Sequence, residues 1–254
     1  MTFDVTSQAT FDLIATAALT ASAAVCIATL AIGFAGTAEQ RIRLAIILTA
    51  WFAVVVVFAA LRLFSADRGP LASAGFGLSI LVPIVTLTVV AARTPALRMR
   101  LSNIALPMLI GMHAVRVLGV LFLVLYAQNR LPSEFANMAG WGDIFVGITA
   151  LPVAWLVARH HPWSRLIAMV WNVIGLADLL DAIFLGLTSA PGPARLIFGE
   201  VSSVIMGSLP WFLIPGFLVP VLLATHFGIA WRLWSLDRSK VSFGGNGYQT
   251  SAAA

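Results

Sequence analysis

Cysteine, lysine and charge of either sign are scarce in this chain of 254 residues. The one cysteine, Cys26, excludes an intrachain disulfide. The only lysine is Lys240, and charged residues make up 10% of the sequence, whereas hydrophobic residues make up 60%. Together with a mean hydropathy of +0.98, these values exclude a soluble globular domain. The sequence therefore predicts an all-α, polytopic integral membrane protein.

Long apolar runs occupy nearly the whole chain. A transmembrane helix needs about 20 mostly apolar residues, and the sequence supplies seven such runs. We predict one seven-helix transmembrane domain over 1–241 and a disordered cytoplasmic tail over 242–254, and this leaves no room for a soluble nucleotide-binding or sensor module. The predicted helices cover roughly 12–35, 42–63, 71–92, 103–127, 139–159, 164–187 and 203–231.

Basic residues divide unequally between the two sets of loops. Cytoplasmic loops carry the excess of Lys and Arg, so the unequal division predicts that the N-terminus is outside and the C-terminus is cytoplasmic. The same loops, facing anionic lipid, explain a pI near 10.6 without nucleic-acid binding. We expect the cytoplasmic (inner) membrane of a bacterium. The inner loops hold ten basic residues (Arg41, Arg43, Arg93, Arg98, Arg100, Arg159, Arg165, Arg232, Arg238 and Lys240) and the outer loops four (Arg62, Arg68, Arg130 and Arg195).

A short motif occurs twice, in the third and seventh predicted helices. Leu-Val-Pro at 81–83 precedes Arg93, and Leu-Val-Pro at 218–220 precedes Arg232. Both helices run from outside to inside in the predicted topology. This favours a 3+1+3 parallel repeat of the kind found in some transporters, although apolar helices also resemble one another by composition alone.

The fourth predicted helix carries two basic side chains near mid-membrane. His113 and Arg116 are three residues apart, so they share one face of a helix. Arg116 lies too far from Gln128 for its side chain to reach the outer interface. The position predicts an interior ion pair for Arg116. For His113, a hydrogen bond to a neighbouring carbonyl and a proton-transfer role both stay open.

Three carboxylates lie in the outer half of the fifth and sixth helices: Asp143, Asp178 and Asp181. We predict that Arg116 pairs with Asp178, and that Asp143 or Asp181 is the second acceptor. One Arg against three Asp leaves excess carboxylate, which needs a proton, water or a cation. This pattern predicts a functional polar cavity, to which Asn172 of the sixth helix also belongs. The alternative is that the buried pair only holds the helices in register.

The seventh predicted helix is interrupted by prolines. Each interior proline removes a backbone donor and frees the carbonyl four residues earlier, such as that of Trp211 before Pro215. In lipid, such carbonyls need partners or a water-lined cavity. We therefore predict a kinked or partly unwound hinge at Pro210, Pro215, Pro220 and Gly216.

His226, also in the seventh helix, completes the set of intramembrane ionisable residues. Residue counting places it in the inner part of the membrane and His113 between it and the carboxylates. Titratable groups at graded depth are typical of a proton pathway. The counted depths of the two histidines differ by roughly 8 Å, and this disfavours a haem held between them.

No other cofactor or metal is predicted. His160 and His161 precede Pro162 without a cysteine or carboxylate nearby, so they do not suggest a metal site. Seven helices with an external N-terminus in about 250 residues resemble a microbial rhodopsin in topology, and that resemblance implies a retinal-bearing lysine in the seventh helix. Lys240 lies beyond that helix, so retinal is excluded.

The function that this pattern favours is that of a small-solute or proton-coupled transporter with a polar cavity among helices four to seven. The alternative is a non-transporting membrane module, a sensor or accessory subunit, whose buried ion pairs are structural. No GxSxG, P-loop or HExxH pattern is present, so an enzyme is disfavoured. The expected partners are the lipid bilayer and a small solute or proton.

Overall fold

The computed structural model describes residues 5–64 and 70–244, with side chains described for 6–64 and 77–234. Of the predicted tail, 245–254 lies outside the described residues, while 242–244 end the last helix. The described ranges are helical and contain no strand. Their α-helices are α1 (Val5–Gly33), α2 (Ala38–Ala60), α3 (Pro70–Arg93), α4 (Pro95–Ser102), α5 (Leu106–Gly111), α6 (Val120–Ala127), α7 (Ser133–Ala158), α8 (Ser164–Ser189) and α9 (Val219–Gly244).

Within the described ranges, three segments of other helix types lie between these α-helices. A 3-10 helix, Met112–Gly119, joins α5 to α6, so that Leu106–Ala127 is one continuous span. A 3-10 turn covers Ser203–Gly207, and a π-helix over Ile214–Leu218 leads directly into α9. A 3-10 run of eight residues is unusually long, and π-helices are rare. Both occur in the spans that carry the candidate functional residues.

Six helices in the described ranges are long and apolar enough to cross a membrane, or seven if α3 and α4 together form one span. The axes of α3 and α4 differ in direction by 106°. Thr94 precedes Pro95, and a residue before proline disfavours helical backbone angles. Pro95 then begins α4, because proline is well suited to the first helical position. A helix thus occupies the predicted loop after Arg93.

Arginine side chains tie the connections together at one end of the bundle. Each donates to a backbone carbonyl on another segment. Phe34 and Ile104 lie in connections next to helix ends, where carbonyls lack helical partners, whereas Leu233 lies within α9. At the start of α2, Thr37 and Gln40 form a capping box that fixes the turn from α1. The three arginine contacts are Arg41 Nε to Phe34 O (3.0 Å), Arg165 Nη2 to Leu233 O (3.0 Å) and Arg232 Nη1 to Ile104 O.

The last span differs from the prediction of one helix over 203–231. After the 3-10 turn the chain is not helical again until it approaches Ile214, and the long membrane-spanning stretch is Ile214–Trp234. Prolines at 210 and 215 prevent a regular α-helix there. The carbonyl of Trp211, expected to be free, accepts from the N–H of Ile214 (3.1 Å).

Helix α7 packs closely against the 3-10 helix, because small residues form its contact face. Small buried residues and Asp143 follow one another along this face at spacings of three or four residues, about one helical turn. In chain order they are Ala136, Gly140, Asp143, Gly147 and Ala150. Small residues allow helix backbones to approach each other in a membrane. A Cβ atom on Gly147 would meet backbone atoms of Arg116 and Val117. Asp143 is therefore held directly beside the segment that carries Arg116.

Candidate functional site

Arg116 lies at the centre of the buried polar residues, and the 3-10 geometry explains how it is presented. In a 3-10 helix, side chains at i and i+3 eclipse each other. His113, Arg116 and Gly119 therefore form one row, and all three are buried, whereas Val117 and Val120 of another row are exposed. The predicted shared face of His113 and Arg116 is thus directed into the bundle.

The guanidinium of Arg116 contacts two carboxylates from different helices. Its Nε donates to Asp143 Oδ1 of α7 (2.5 Å), and its Nη2 donates to Asp178 Oδ2 of α8. The Arg116 side chain is 1% exposed, against 15% for Asp143 and 12% for Asp178. With both carboxylates ionised, this group of three side chains has a formal charge of −1.

Arg116 also contacts the last two spans through Nη1. This nitrogen donates to the carbonyl of Gly175 (3.0 Å) and lies 3.0 Å from His226 Nε2. His226 Nδ1 lies 2.9 Å from Asn172 Oδ1. Because arginine can only donate, Nε2 accepts and Nδ1–H donates, so the hydrogen bonds assign a neutral His226. We call Arg116, Asp143, Asp178, His226 and Asn172 the arginine cluster.

His113 lies beside the arginine cluster and makes a separate contact. Its Nε2 is 3.0 Å from Thr225 Oγ1, and Thr225 donates its hydroxyl to the carbonyl of Leu222 (2.8 Å). Thr225 Oγ1 therefore accepts from His113 Nε2–H. In a neutral His113 the other ring nitrogen, Nδ1, then carries no proton and can only accept. Nδ1 is buried and has no partner among the described residues. Trp171 packs edge-on against His113, with ring centroids 5.4 Å apart.

The predicted graded depth of the two histidines is wrong. Their ring centroids are 4.1 Å apart, and His226 contacts Arg116 directly, so His226 lies at the level of the carboxylates. Counting residues inward from the end of a straight helix gave a false depth, because the last span begins at Ile214 and opens with a π-helix. Rings this close leave no space for a haem between them.

Glycines make the close approach of these side chains possible. A Cβ atom on Gly175 would lie 2.6 Å from His226 Cε1 and 3.2 Å from Arg116 Nη1. A Cβ on Gly142 would overlap Asp178 Oδ1. A larger residue at either position would displace the side chain of His226 or Asp178. Sequence reasoning assigned no role to either glycine or to Thr225; the small-residue spacing around Asp143 was the available signal for the α7 contact.

Asp181 is not part of the arginine cluster. It lies one turn beyond Asp178 on α8, is partly exposed, and makes no hydrogen bond or ion pair with another residue that the structure describes. Of the two second acceptors proposed for Arg116, the structure thus has Asp143. Asp181 provides a matched control for experiments on Asp178, because it is a carboxylate on the same helix.

The predicted hinge residues lie outside the arginine cluster, along the last span. Pro215 and Gly216 belong to the π-helix, Pro220 lies in the first turn of α9, and Pro210 lies in the non-helical stretch before them. A Cβ on Gly216 would lie 2.7 Å from Val55 Cγ1 of α2. The π-helix of the last span is therefore packed against α2, and it also contacts α1.

A cavity of about 430 Å³, counted with its open mouth, leads from Asp143 toward the connection after α8. Asp143 is the only ionisable residue among its lining residues that the structure describes; Phe122, Phe135, Leu179 and Pro215 belong to its apolar wall. The described residues contain no group of three or more His, Cys, Asp or Glu side chains able to hold a metal ion.

Over the residues that the structure describes, the fold is thus all-helical, with six or seven helices long and apolar enough to span a membrane. Residues 73–234, more than half of the chain, match the family described as Domain of unknown function (DUF8737), so the chain belongs to that family. All residues of the arginine cluster lie within the matched region, whereas α1 and α2 precede it. No curated protein and no solved structure matches the chain.

Proposed function

We propose that this protein is a proton-coupled transporter of a small solute. The observation that carries the proposal is the ratio of charges in the arginine cluster: two carboxylates share one fully buried guanidinium at the end of a cavity. A charge of −1 in a low-dielectric interior is costly. A bound proton or a cationic solute removes that cost, so the two compete for the same carboxylates.

The last span is the element that responds to this competition. Its π-helix lines the cavity through Ile214 and Pro215 and continues into the helix that carries His226. Protonation of Asp178 weakens its contact with Arg116 and so loosens the tie between α8 and the 3-10 helix. Pro215 and Gly216 then act as a hinge for the movement of α9 that exposes the cavity to the other side.

Flux through the arginine cluster is measurable in liposomes. We expect the purified protein to dissipate an imposed pH gradient when a transported solute is present, and Asp178→Asn to slow this at least about tenfold, because the exchangeable proton site is lost. Asp181→Asn is the matched control and retains the flux. Equal flux in wild type and Asp178→Asn, with all proteins folded, would overturn the proposal.

The proposed orientation places the N-terminus outside and the arginine-tied end of the bundle in the cytoplasm, because basic loops remain on the cytoplasmic side. In a Cys26→Ser background, a cysteine at Ser133 should react with an impermeant maleimide added to intact cells, and one at Arg98 should react only after lysis. The reverse pattern would show the opposite orientation. Cys26 itself is buried.

A non-transporting module is the second candidate, and one observation favours it. Arg116 has protein partners for its Nε and for both terminal nitrogens, and glycine-mediated packing fixes the helices around it. A buried ionic group of this kind can have a purely structural role, which is to fix the register of the helices. In that case the Asp178→Asn protein is less stable than the wild type, and neither protein supports flux in the liposome experiment.

A further inference from the structure

The cavity beside Asp143 combines one carboxylate with an otherwise apolar lining. It follows α7 from Asp143 to Phe135, a separation of eight residues or about 12 Å along a helix. Its far end is lined by the paired rings of Phe122 and Phe135, whose centroids are 5.4 Å apart. The walls offer contact to a narrow hydrocarbon chain along this length.

Asp143 is the charged residue among the described residues that line the cavity. Asp143 uses Oδ1 for Arg116, and its Oδ2 has no hydrogen-bond partner among the described residues. An inorganic cation needs several oxygen ligands, and the apolar walls do not supply them. A primary alkylammonium instead carries a single charge on its own hydrocarbon chain: one of its three N–H groups can donate to the carboxylate, and the chain can pack against the apolar wall.

We propose that this cavity binds a linear primary alkylammonium, with the ammonium against Asp143 and the alkyl chain along the wall toward Phe135. This inference rests on the proposed function and names its substrate class. Binding displaces the proton held by the two carboxylates, so that one cation enters for each proton released. The charge of the arginine cluster is the same before and after the exchange.

The charged and titratable groups that face Asp143 come from three elements. Arg116 belongs to the 3-10 helix, Asp178 to α8 and His226 to α9. Asp181 adds a like charge beside Asp178. The residues that α3, α6 and the Ser203–Gly207 turn contribute to the cavity are apolar. Proton release on binding therefore reports on the two carboxylates that contact Arg116.

The probe is n-hexylammonium, and 1-hexanol is the neutral control of equal chain length. Calorimetry on the purified full chain should show n-hexylammonium binding at least about tenfold tighter than 1-hexanol. The 1-hexanol titration corrects for partitioning of the hexyl chain into detergent. A series of shorter alkylammonium ions should weaken by about fourfold for each CH₂ removed, because each buried CH₂ contributes a constant free energy. Repeating the titration in buffers of different ionisation enthalpy should show about one proton released per cation bound.

Variants separate the site from its surroundings. Asp143→Asn should lose n-hexylammonium binding, and Asp181→Asn should retain it. Because Asp143→Asn also alters the contact with Arg116, Phe135→Ser provides a second variant that is distant from the ion pairs and should weaken the hexyl probe but not methylammonium. Equal affinity for 1-hexanol, or unchanged binding in Asp143→Asn, would overturn the inference.

The two proposals fail in different ways. If n-hexylammonium does not bind but the Asp178-dependent dissipation of the pH gradient persists, the protein is a transporter of another solute and the inference is wrong. If n-hexylammonium binds with proton release but no flux is found, the inference stands as a binding site and the proposed transport function is wrong.

Discussion

Replacing Arg116 by methionine should lower the free energy of unfolding by about 3–5 kcal/mol, since removing one partner of a buried ion pair leaves the other charges uncompensated. Here two carboxylates, Asp143 and Asp178, lose their shared partner at once. The apolar methionine keeps much of the side-chain volume, so that packing changes little. Thermal unfolding in detergent, followed by size-exclusion chromatography of the heated protein, measures the effect.

Two further variants distinguish lost charge balance from lost packing. The triple variant Arg116→Met/Asp143→Asn/Asp178→Asn should recover most of the stability, because replacing a whole buried ionic group by neutral residues is often neutral or stabilising. Arg130→Met, which breaks the more exposed pair with Asp12, should cost about 1 kcal/mol or less. If the triple variant is no more stable than Arg116→Met, the account of the arginine cluster as a charge-balanced unit is wrong.

Gly147→Ala should destabilise the protein by about 2–4 kcal/mol, a large effect for the addition of one methyl group. The added Cβ would meet the Val117 backbone nitrogen and lie 2.9 Å from the Arg116 carbonyl carbon. Backbone atoms cannot move aside as a flexible side chain can. The α7 contact with the 3-10 helix must therefore open, and this displaces Asp143 from Arg116. Thermal unfolding measures the loss.

Gly228→Ala is the matched control for this substitution. Gly228 lies in α9, and nothing would lie within 4 Å of its added Cβ. Alanine favours a helix over glycine by about 1 kcal/mol, so this variant should be as stable as the wild type or slightly more stable. Similar behaviour of the two glycine variants would show that the close contact at Gly147 does not position the arginine cluster.

Sequence alone was sufficient for the helical class and for the presence of several helices apolar enough to span a membrane, because apolar runs of about 20 residues carry that information directly; the bounds of the last span were wrong. It also indicated that Arg116 needs carboxylate partners at its own depth. The choice of Asp143 over Asp181 was not predictable. It depends on which residues of α7 are small enough to let the 3-10 helix approach. That is a matter of packing between two helices, and the residues that meet there, Arg116 and Asp143, are 27 positions apart in the sequence.

The position of His226 shows a second limit of the sequence. Counting 1.5 Å per residue assumes that each span begins at the membrane boundary and continues as a regular α-helix. The last span satisfies neither assumption, because prolines delay its start to Ile214 and a π-helix follows. The prolines were visible in the sequence. Their effect on the depth of His226 in the bundle depended on which hydrogen bonds the backbone groups near the prolines form. One of these bonds is donated by Ile214 N–H to the carbonyl of Trp211.

The central claim is that Asp143 and Asp178 together hold one exchangeable proton beside Arg116. Infrared difference spectroscopy of the protein in lipid tests this claim most directly, because a protonated carboxyl has a C=O band that a carboxylate lacks. We expect the wild type at neutral pH to show this band, Asp178→Asn or Asp143→Asn to lose it, and Asp181→Asn to retain it. A wild-type spectrum without the band, or a band that persists in both cluster variants, would contradict the account.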